Sequence, residues 1–193
     1  MRLFVAFLCA AACALAAGCG GSETSPSGTT GTLRMVLKDS PFSDAKSLLI
    51  TFSGVDAHKS DQTTDSWSRI PFTGGATTRT CDLKKLQAAQ DVMGTGPLAA
   101  GHYTMVRLVV TSATIYFDNA AAGDACAASI VAPAGRSANV TIPSGDVRLN
   151  REFDVASATT TTMTLDFNGD QSVRETGNGQ YMMTPVIAIS SVQ

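Results

Sequence analysis

The chain has 193 residues, with 14 Lys plus Arg against 16 Asp plus Glu and a formal net charge of −2. It carries no basic stripe and no block of like charge, which argues against nucleic acid as a partner. About 160 residues follow the polar segment that ends near residue 30, and this length suits one domain with a sizeable core.

The first 18 residues are predicted to be a lipoprotein signal peptide. Arg2 precedes an apolar run over residues 3–17, which is shorter than the roughly 20 residues of a membrane-spanning helix. The run ends in the letters AAGC (16–19), which resemble the lipobox of bacterial lipoproteins, with Ala16 in place of the usual leucine. This resemblance implies cleavage before Cys19 and acylation of its thiol and its new amine. The alternative is an incidental cysteine near an ordinary secretory cleavage site.

Residues 19–30 are predicted to be a flexible tether. They are rich in Gly, Ser and Thr and contain no apolar residue large enough to pack. Each buried methylene contributes about 0.8 kcal/mol, so two or three acyl chains on Cys19 would hold the protein firmly to a membrane. Gly20 follows the cysteine, and by resemblance to the sorting rule of Gram-negative lipoproteins it favours the outer membrane. The sequence therefore predicts a cell-envelope protein whose lipid anchor contacts the membrane.

Residues 31–193 are predicted to form one all-β domain. Apolar and polar residues alternate in segments typical of half-buried strands: 33–38, 147–155 and 162–167. Between residues 48 and 58 the apolar phase shifts at Gly54, which indicates a β-bulge. Turn signals separate eight or nine strands, and only residues 83–92 suit a helix. We predict a single antiparallel β-sandwich, such as an immunoglobulin-like one, or a barrel, with at most one short helix.

Three further positions bear on the predicted sheets. The run 106–110 is apolar on both faces, which predicts a strand in the middle of a sheet. Arg151 stands on the apolar face of its strand, so either a bulge turns it outward, which we favour, or a carboxylate meets it inside. Pro185 predicts that the last strand lies at a sheet edge or carries a bulge, because proline cannot donate to a ladder.

Two cysteines remain for the domain. Of the five in the chain, two leave with the signal peptide and Cys19 carries the lipid, which leaves Cys81 and Cys126. In an oxidising compartment such an even pair indicates a disulfide. Two separate buried thiols, or a metal site with His58 and His102, are the alternatives, although the spacing resembles no zinc motif.

Six segments in order resemble a known family. They read GTLRMVLKDSP (31–41), LLITFSGVDAHKS (48–60), TCDLKKL (80–86), PLAAGHYTMVRLVVTSATI (97–115), VTIPSGDVRLNREFDV (140–155) and TTMTLDFNGDQSVRETGNGQYMMTPVI (161–187). Together they resemble domain-of-unknown-function family 4382, which is common in bacterial lipoproteins. The chain departs from that family at Arg151 and over residues 119–129. The resemblance implies an all-β domain, a transthyretin-like sandwich, with no established activity.

An acidic turn is the candidate metal site. Asp166, Asn168 and Asp170 place oxygen atoms at alternate positions, which a hard cation such as calcium prefers, and Glu175 is a candidate fourth ligand. The glycine positions do not fit an EF-hand loop. We favour a polar turn at the end of a strand and expect no cofactor, with calcium as the alternative.

The sequence offers little for catalysis. His58 and His102 are the histidine bases of the domain, and neither lies in a catalytic motif. Carboxylates that could pair for glycoside hydrolysis are Asp82, Asp91 and Asp118. Aromatic residues that could stack on a carbohydrate are Trp67, Tyr103 and Tyr116. We expect no catalytic residues.

The resulting expectation is a noncatalytic binding or structural module of the cell envelope. It would contact an envelope protein or a glycan, and no nucleic acid, through loops or a strand edge. Residues 180–189 are the candidate contact. The alternative is a calcium-dependent binding protein or an envelope hydrolase that uses the acidic turn of residues 166–175.

A Cys19→Ser variant is expected to move the protein from the membrane fraction to the soluble fraction, because the acyl chains attach to that residue. Cell fractionation checks the shift, and mass spectrometry of the wild-type N-terminus should find acyl mass on Cys19. A Ser22→Ala variant, altered in the same segment, should stay with the membrane. An unmodified wild-type N-terminus would contradict the prediction.

Overall fold

The computed structural model describes residues 29–40, 45–63 and 66–193. The predicted signal peptide, Cys19 and all of the tether except its last two residues lie outside these ranges. No helix within them is both long and apolar enough to cross a membrane.

The described residues form an all-β fold, as predicted. The strands are β1 (Thr30–Ser40), β2 (Ser47–Lys59), β3 (Ser68–Arg69), β4 (Arg79–Asp82), β5 (Asp91–Ala99), β6 (Gly101–Tyr116), β7 (Cys126–Ala127), β8 (Ser137–Thr141), β9 (Asp146–Val155), β10 (Thr160–Asn168), β11 (Val173–Gly177), β12 (Gln180–Met183) and β13 (Ile187–Val192). Two short helices, α1 (Leu83–Leu86) and α2 (Gly169–Ser172), and a 3₁₀ turn (Thr73–Gly75) interrupt them.

The strands form two sheets, one of which curls into a half-barrel. The smaller sheet has the order β13-β10-β1-β5. The larger has the order β11-β12-β8-β6-β2-β4-β7, with β3 also paired to β2 and β9 to β6. The pairs β1–β10 and β12–β8 are parallel, unlike the antiparallel arrangement that the sequence predicted. Parallel neighbours need long connections, and the larger sheet supplies one because most of its strands lie between β1 and β10 in the chain.

One continuous core fills the space between the sheets. Alternate side chains of β1, β2 and β10 are fully buried in it: Leu33, Met35, Leu37, Leu48, Ile50, Phe52, Met163, Leu165 and Phe167. Burying each such side chain contributes about 1.5–3 kcal/mol. The alternation in these segments therefore predicted their inward faces correctly.

The predicted bulge at Gly54 is confirmed. The register between β2 and β6 shifts between Phe52 and Gly54, and the buried face then continues with Val55 and Ala57. The β6 strand pairs with β2 along one edge and with β8 and β9 along the other, which confirms that the run 106–110 lies inside a sheet.

Arg151 also lies in a bulge, as favoured from the sequence. Tyr103 of β6 lies opposite Phe153 of β9, and Met105 lies opposite Asn150. The step is two residues on β6 and three on β9, so β9 carries one extra residue. The bulge turns the Arg151 side chain into solvent and avoids a buried, unpaired guanidinium.

Two short helices occur where the sequence predicted at most one. The predicted helix over 83–92 ends at Leu86, after which the chain extends into β5. Asp82 begins it as the N-cap, accepting a hydrogen bond from the Lys84 main-chain N–H at 3.1 Å. Asn168 is likewise the N-cap of α2, since its Oδ1 accepts a hydrogen bond from the Gln171 main-chain N–H at 3.0 Å. The sequence had indicated a turn at this position.

The turn signals counted from the sequence include residues 94–97, with two glycines and a proline, but these residues lie inside β5. A Cβ atom on Gly94 would lie 2.6 Å from the Pro71 carbonyl oxygen, and one on Gly96 would overlap the Pro71 ring. These glycines therefore allow the segment around Pro71 to cross the strand. Pro97 is tolerated because β5 lies at the edge of the smaller sheet.

Pro185 lies in the connection between β12 and β13, so its predicted place within the last strand is wrong. The chain passes there from the larger sheet to the smaller one. The last strand, β13, does lie at a sheet edge.

A disulfide joins the predicted pair, Cys81 and Cys126, with a sequence separation of 45 residues. It links β4 to the two-residue strand β7, which lies opposite it at the end of the larger sheet. The bridge therefore holds the long connection between β6 and β8 against the sheet.

The double variant Cys81→Ala, Cys126→Ala is expected to lower the free energy of unfolding by about 2–4 kcal/mol, because the bridge restricts the unfolded chain. Denaturant unfolding of the variant and wild type checks the difference, and non-reducing peptide mapping should link the two wild-type peptides. A Ser129→Ala variant, changed at an exposed site of the same connection, should match wild type. Two alkylatable thiols in wild-type protein from the periplasm would contradict the prediction.

Candidate functional site

A groove of about 440 Å³ lies where β8 and β12 meet, a volume within the range of small-ligand sites. We call it the aromatic groove, and it is lined by Phe117, Arg136, Ser137, Ala138, Gly179 and Tyr181. The lining residues come from the end of β6, the start of β8 and the β11–β12 hairpin. The groove therefore depends on three separate parts of the larger sheet.

Two aromatic rings form its apolar surface. Phe117 follows β6 directly, and its main-chain N–H donates to the Arg136 carbonyl at 3.0 Å. Tyr181 lies in β12, opposite Val140 of the parallel strand β8. The ring centroids of Phe117 and Tyr181 are 5.6 Å apart with an interplanar angle of 44°. Both side chains are half-buried, so part of each ring packs on the core and part faces solvent.

An ion pair is held beside the Phe117 ring. The Arg136 guanidinium donates to Asp118 Oδ1 through Nε at 3.1 Å and through Nη2 at 2.9 Å. The Arg136 main-chain N–H donates to Asp118 Oδ2 at 2.7 Å. The central carbon of the guanidinium lies 5.8 Å from the centroid of the Phe117 ring. Two side-chain hydrogen bonds and a ring contact thus orient the Arg136 side chain, which is 79% exposed.

Local backbone geometry brings this pair together. Gly135 precedes Arg136 with φ of 103°, and a Cβ atom there would lie 2.8 Å from the Asp118 side chain. A larger residue would be strained and would also crowd the carboxylate. The main-chain N–H of Arg136, followed by its guanidinium, holds the pKa of Asp118 below its ordinary value of 3.8. The pair is therefore charged on both sides at neutral pH.

The groove has the chemistry of a noncovalent binding site. Its lining residues include no histidine, cysteine or carboxylate. It offers ring faces for stacking and a fixed donor and acceptor pair at one side. In the described part of the chain the Tyr181 hydroxyl has no hydrogen-bond partner, so it can serve a ligand as donor or acceptor.

A second cluster of charged and aromatic side chains lies across β2, β3, β6 and β9. Asp56 is 2% exposed, and its carboxylate pairs with Arg69 and with Nη2 of Arg107, the latter at 2.7 Å. The guanidinium carbons of Arg107 and Arg148 lie 4.6 and 5.6 Å from the Trp67 ring centroid. These groups satisfy one another, and breaking such a buried pair costs about 3–5 kcal/mol. We interpret this cluster as stabilising the sheet.

The candidate calcium ligands have other contacts. Asp166 pairs with Lys38 at 2.6 Å, Asn168 caps α2, and Asp170 is exposed. The fourth candidate, Glu175, accepts a hydrogen bond from the Gly179 main-chain N–H at 3.1 Å. Over the described ranges, no three His, Cys, Asp or Glu side chains are grouped closely enough to hold a metal ion. Calcium binding at this turn stays the alternative, which titration can test.

The two histidines have structural partners. The His58 ring nitrogens contact Thr104 Oγ1 at 3.2 Å and the Thr63 carbonyl at 3.0 Å. Nδ1 of His102 lies 2.9 Å from Oδ1 of Asp154, its exposed cross-strand neighbour. Neither residue lines the aromatic groove.

The three aromatic residues that the sequence offered for stacking on a carbohydrate do not form a shared platform. Tyr103 is fully buried and donates its hydroxyl to the Ala99 carbonyl at 2.8 Å, and Tyr116 is buried as well. Trp67 lies under the arginines of the charged cluster. The exposed ring pair is instead formed by Phe117 and Tyr181, of which Tyr181 falls within the predicted contact of residues 180–189. No sequence signal marked Phe117, because its pairing with Tyr181 depends on the contact between β8 and β12.

Comparison with known proteins places this fold in a family. The family model described as Domain of unknown function (DUF4382) matches residues 30–185, which span β1 to the connection before β13. No curated protein and no solved structure is a significant match.

An NMR titration is expected to place the pKa of Asp118 below 3.8. Because the folded-state pKa is lowered, the stabilisation by the Arg136 pair is present above the ordinary pKa and is lost as pH falls through the folded one. Arg136→Ala should raise this pKa only part of the way to 3.8, since it keeps the main-chain N–H, the larger cause. Arg174→Ala, on the neighbouring hairpin, should leave it unchanged. An Asp118 pKa at or above 3.8 in wild type would contradict the assignment.

Proposed function

The chain belongs to the DUF4382 family, and we propose that it is a noncatalytic binding module of the bacterial cell envelope. The lipid on Cys19 anchors it to a membrane, preferentially the outer membrane, and the tether of residues 19–30 gives the domain reach. The aromatic groove is the surface that contacts the partner.

The observation that carries this proposal is the pairing of two half-buried rings with a fixed ion pair in one groove. When a ligand covers these rings, their apolar surface is removed from contact with water, which favours binding. An ordered ion pair then fixes the orientation of the ligand through hydrogen bonds. Arg136 and Asp118 already hold each other, so little side-chain freedom is lost on binding. Two aromatic rings beside an ordered ion pair therefore suit the binding of a ligand.

The contacts of the histidines and carboxylates support a noncatalytic role. Both ring nitrogens of His58 are occupied by threonine oxygens, and Asp82 accepts hydrogen bonds from Ser47 Oγ and Leu48 N beneath α1. Asp91 pairs with Arg79 and accepts the Cys126 main-chain N–H. Each of these groups has a structural partner that explains its position.

The position of Tyr181 supports the predicted contact over residues 180–189. The edge hairpin β11–β12 ends in a turn at Gly177, Asn178 and Gly179, all with positive φ. Gly179 forms one wall of the groove, directly before the strand that carries Tyr181. A strand edge and a loop therefore meet at the groove, as is usual for binding sites on β-sandwiches.

Tyr181→Ala in the full chain is expected to reduce capture of the protein's envelope ligand by about tenfold, since it removes one ring of the groove. Pull-downs from envelope extracts, analysed for both proteins and polysaccharides, check the loss. The variant should fractionate with the membrane as wild type does, and Arg174→Ala should capture like wild type. Equal capture by Tyr181→Ala and wild type would overturn the assigned surface.

A hydrolase screen and a calcium titration test the alternatives. We expect no turnover of ester, peptide or glycoside substrates and no change of melting temperature on adding calcium. Turnover abolished by His102→Ala would overturn the noncatalytic assignment. A calcium-dependent rise in melting temperature that is lost in Asp166→Ala would establish the metal-dependent alternative.

A further inference from the structure

We propose that the ligand of the aromatic groove is a neutral saccharide, with a sugar ring stacked on Phe117 and Tyr181 and its hydroxyl groups bound by Arg136 and Asp118. This inference rests on the proposed function and names the chemical class of the ligand. It uses a site that combines ring faces, a hydrogen-bond donor and a hydrogen-bond acceptor.

The two rings form the apolar part of the site. Their 44° tilt and 5.6 Å separation leave an angled surface with room for a flat ligand over the exposed parts. A pyranose presents C–H groups on its faces and hydroxyl groups around its edge. An aromatic surface bordered by polar groups complements both parts.

The ion pair can bind a pair of neighbouring hydroxyl groups. Arg136 has five N–H donors, of which Asp118 uses two, so about three remain for a ligand. The Asp118 carboxylate offers about four lone-pair sites and accepts three hydrogen bonds, which leaves about one. A sugar hydroxyl both donates and accepts, so two adjacent hydroxyls match a donor and an acceptor that lie side by side.

The charge of the groove favours a neutral ligand. Arg136 is the charged residue of the lining, and its charge is balanced by Asp118, which lies beside the groove. An acidic ligand would meet the Asp118 carboxylate together with the guanidinium. A proline-rich peptide, which aromatic grooves also bind, presents mainly carbonyl acceptors and would leave the carboxylate without a donor.

The Tyr181 hydroxyl extends the polar part of the site. It has no partner within the structure's described ranges, although the ring is half-buried beside Phe117. A hydroxyl group of the saccharide can form a hydrogen bond with the Tyr181 hydroxyl. Tyr181→Phe therefore tests a hydrogen bond while keeping the stacking surface.

The experiment uses isothermal titration of the full chain, solubilised in a detergent whose headgroup is not a sugar. The neutral probes are maltohexaose, cellohexaose, mannohexaose and hexa-N-acetylchitohexaose. The acidic probe is tri-galacturonic acid, and the peptide probe is deca-proline. We expect at least one neutral probe to bind with a Kd of about 1 mM or tighter, and more tightly than the acidic and peptide probes.

The variants separate stacking from hydrogen bonding. Tyr181→Ala and Phe117→Leu should each weaken binding of that saccharide by about tenfold. Tyr181→Phe and Arg136→Lys should weaken it by a smaller factor at an unchanged melting temperature, since a lysine cannot hold Asp118 through two N–H groups. Gln180→Ala and Arg174→Ala, at exposed neighbouring positions, should bind like wild type.

Three outcomes would overturn the proposal that the ligand is a neutral saccharide. The first is that no neutral probe binds, and the second is that tri-galacturonic acid or deca-proline binds more tightly. The third is saccharide binding that Tyr181→Phe and Phe117→Leu leave unchanged. The first two leave the proposed function standing if envelope capture still depends on Tyr181. Capture that does not depend on Tyr181 removes the proposed function as well, so the two failures are distinguishable.

Discussion

The pairing of β2 with β6 is the constraint on which the rest of the larger sheet depends. It runs from Ser47 opposite Tyr116 to Lys59 opposite Tyr103. A register shift before Phe52 is reversed by the bulge at Gly54, and a further shift precedes Lys59. The outer edge of β2 carries β3 and β4, and the outer edge of β6 carries β8 and β9. The aromatic groove begins where β6 ends, so its position follows from this ladder.

A buried carboxylate reinforces that register. Asp56 lies opposite Arg69 on one neighbouring strand and Arg107 on the other, and both arginines reach its oxygen atoms. A slip of one residue would turn Asp56 to the opposite face of the sheet and leave it buried without a cation. Gly54 completes the arrangement, because a Cβ atom there would lie 2.7 Å from the Arg69 guanidinium. The charged cluster thus specifies the alignment of the strands that support the groove.

The groove joins elements that are distant in the chain. Phe117 and Arg136 lie at the two ends of the connection between β6 and β8, which the Cys81–Cys126 bridge holds to the sheet. Tyr181 arrives on β12, whose pairing with β8 involves only Tyr181 and Met182. The site therefore combines the connection between β6 and β8, which the disulfide restrains, with the β11–β12 hairpin at the edge of the larger sheet. The groove thus lies at the end of the larger sheet next to the packed core, where binding residues are held by the strands that carry them.

The sequence alone determined the features that depend on local pattern: the inward faces of the strands, the bulges at Gly54 and Arg151, and the pairing of Cys81 with Cys126. Period-two alternation records which face of a strand is buried but carries no information about which strand lies beside it. The tertiary structure alone decided that Gly94 and Gly96 make room for Pro71, that β1 runs parallel to β10, and that Phe117 meets Tyr181. These features are contacts between distant segments, and chain packing, which local propensity does not encode, brings such segments together.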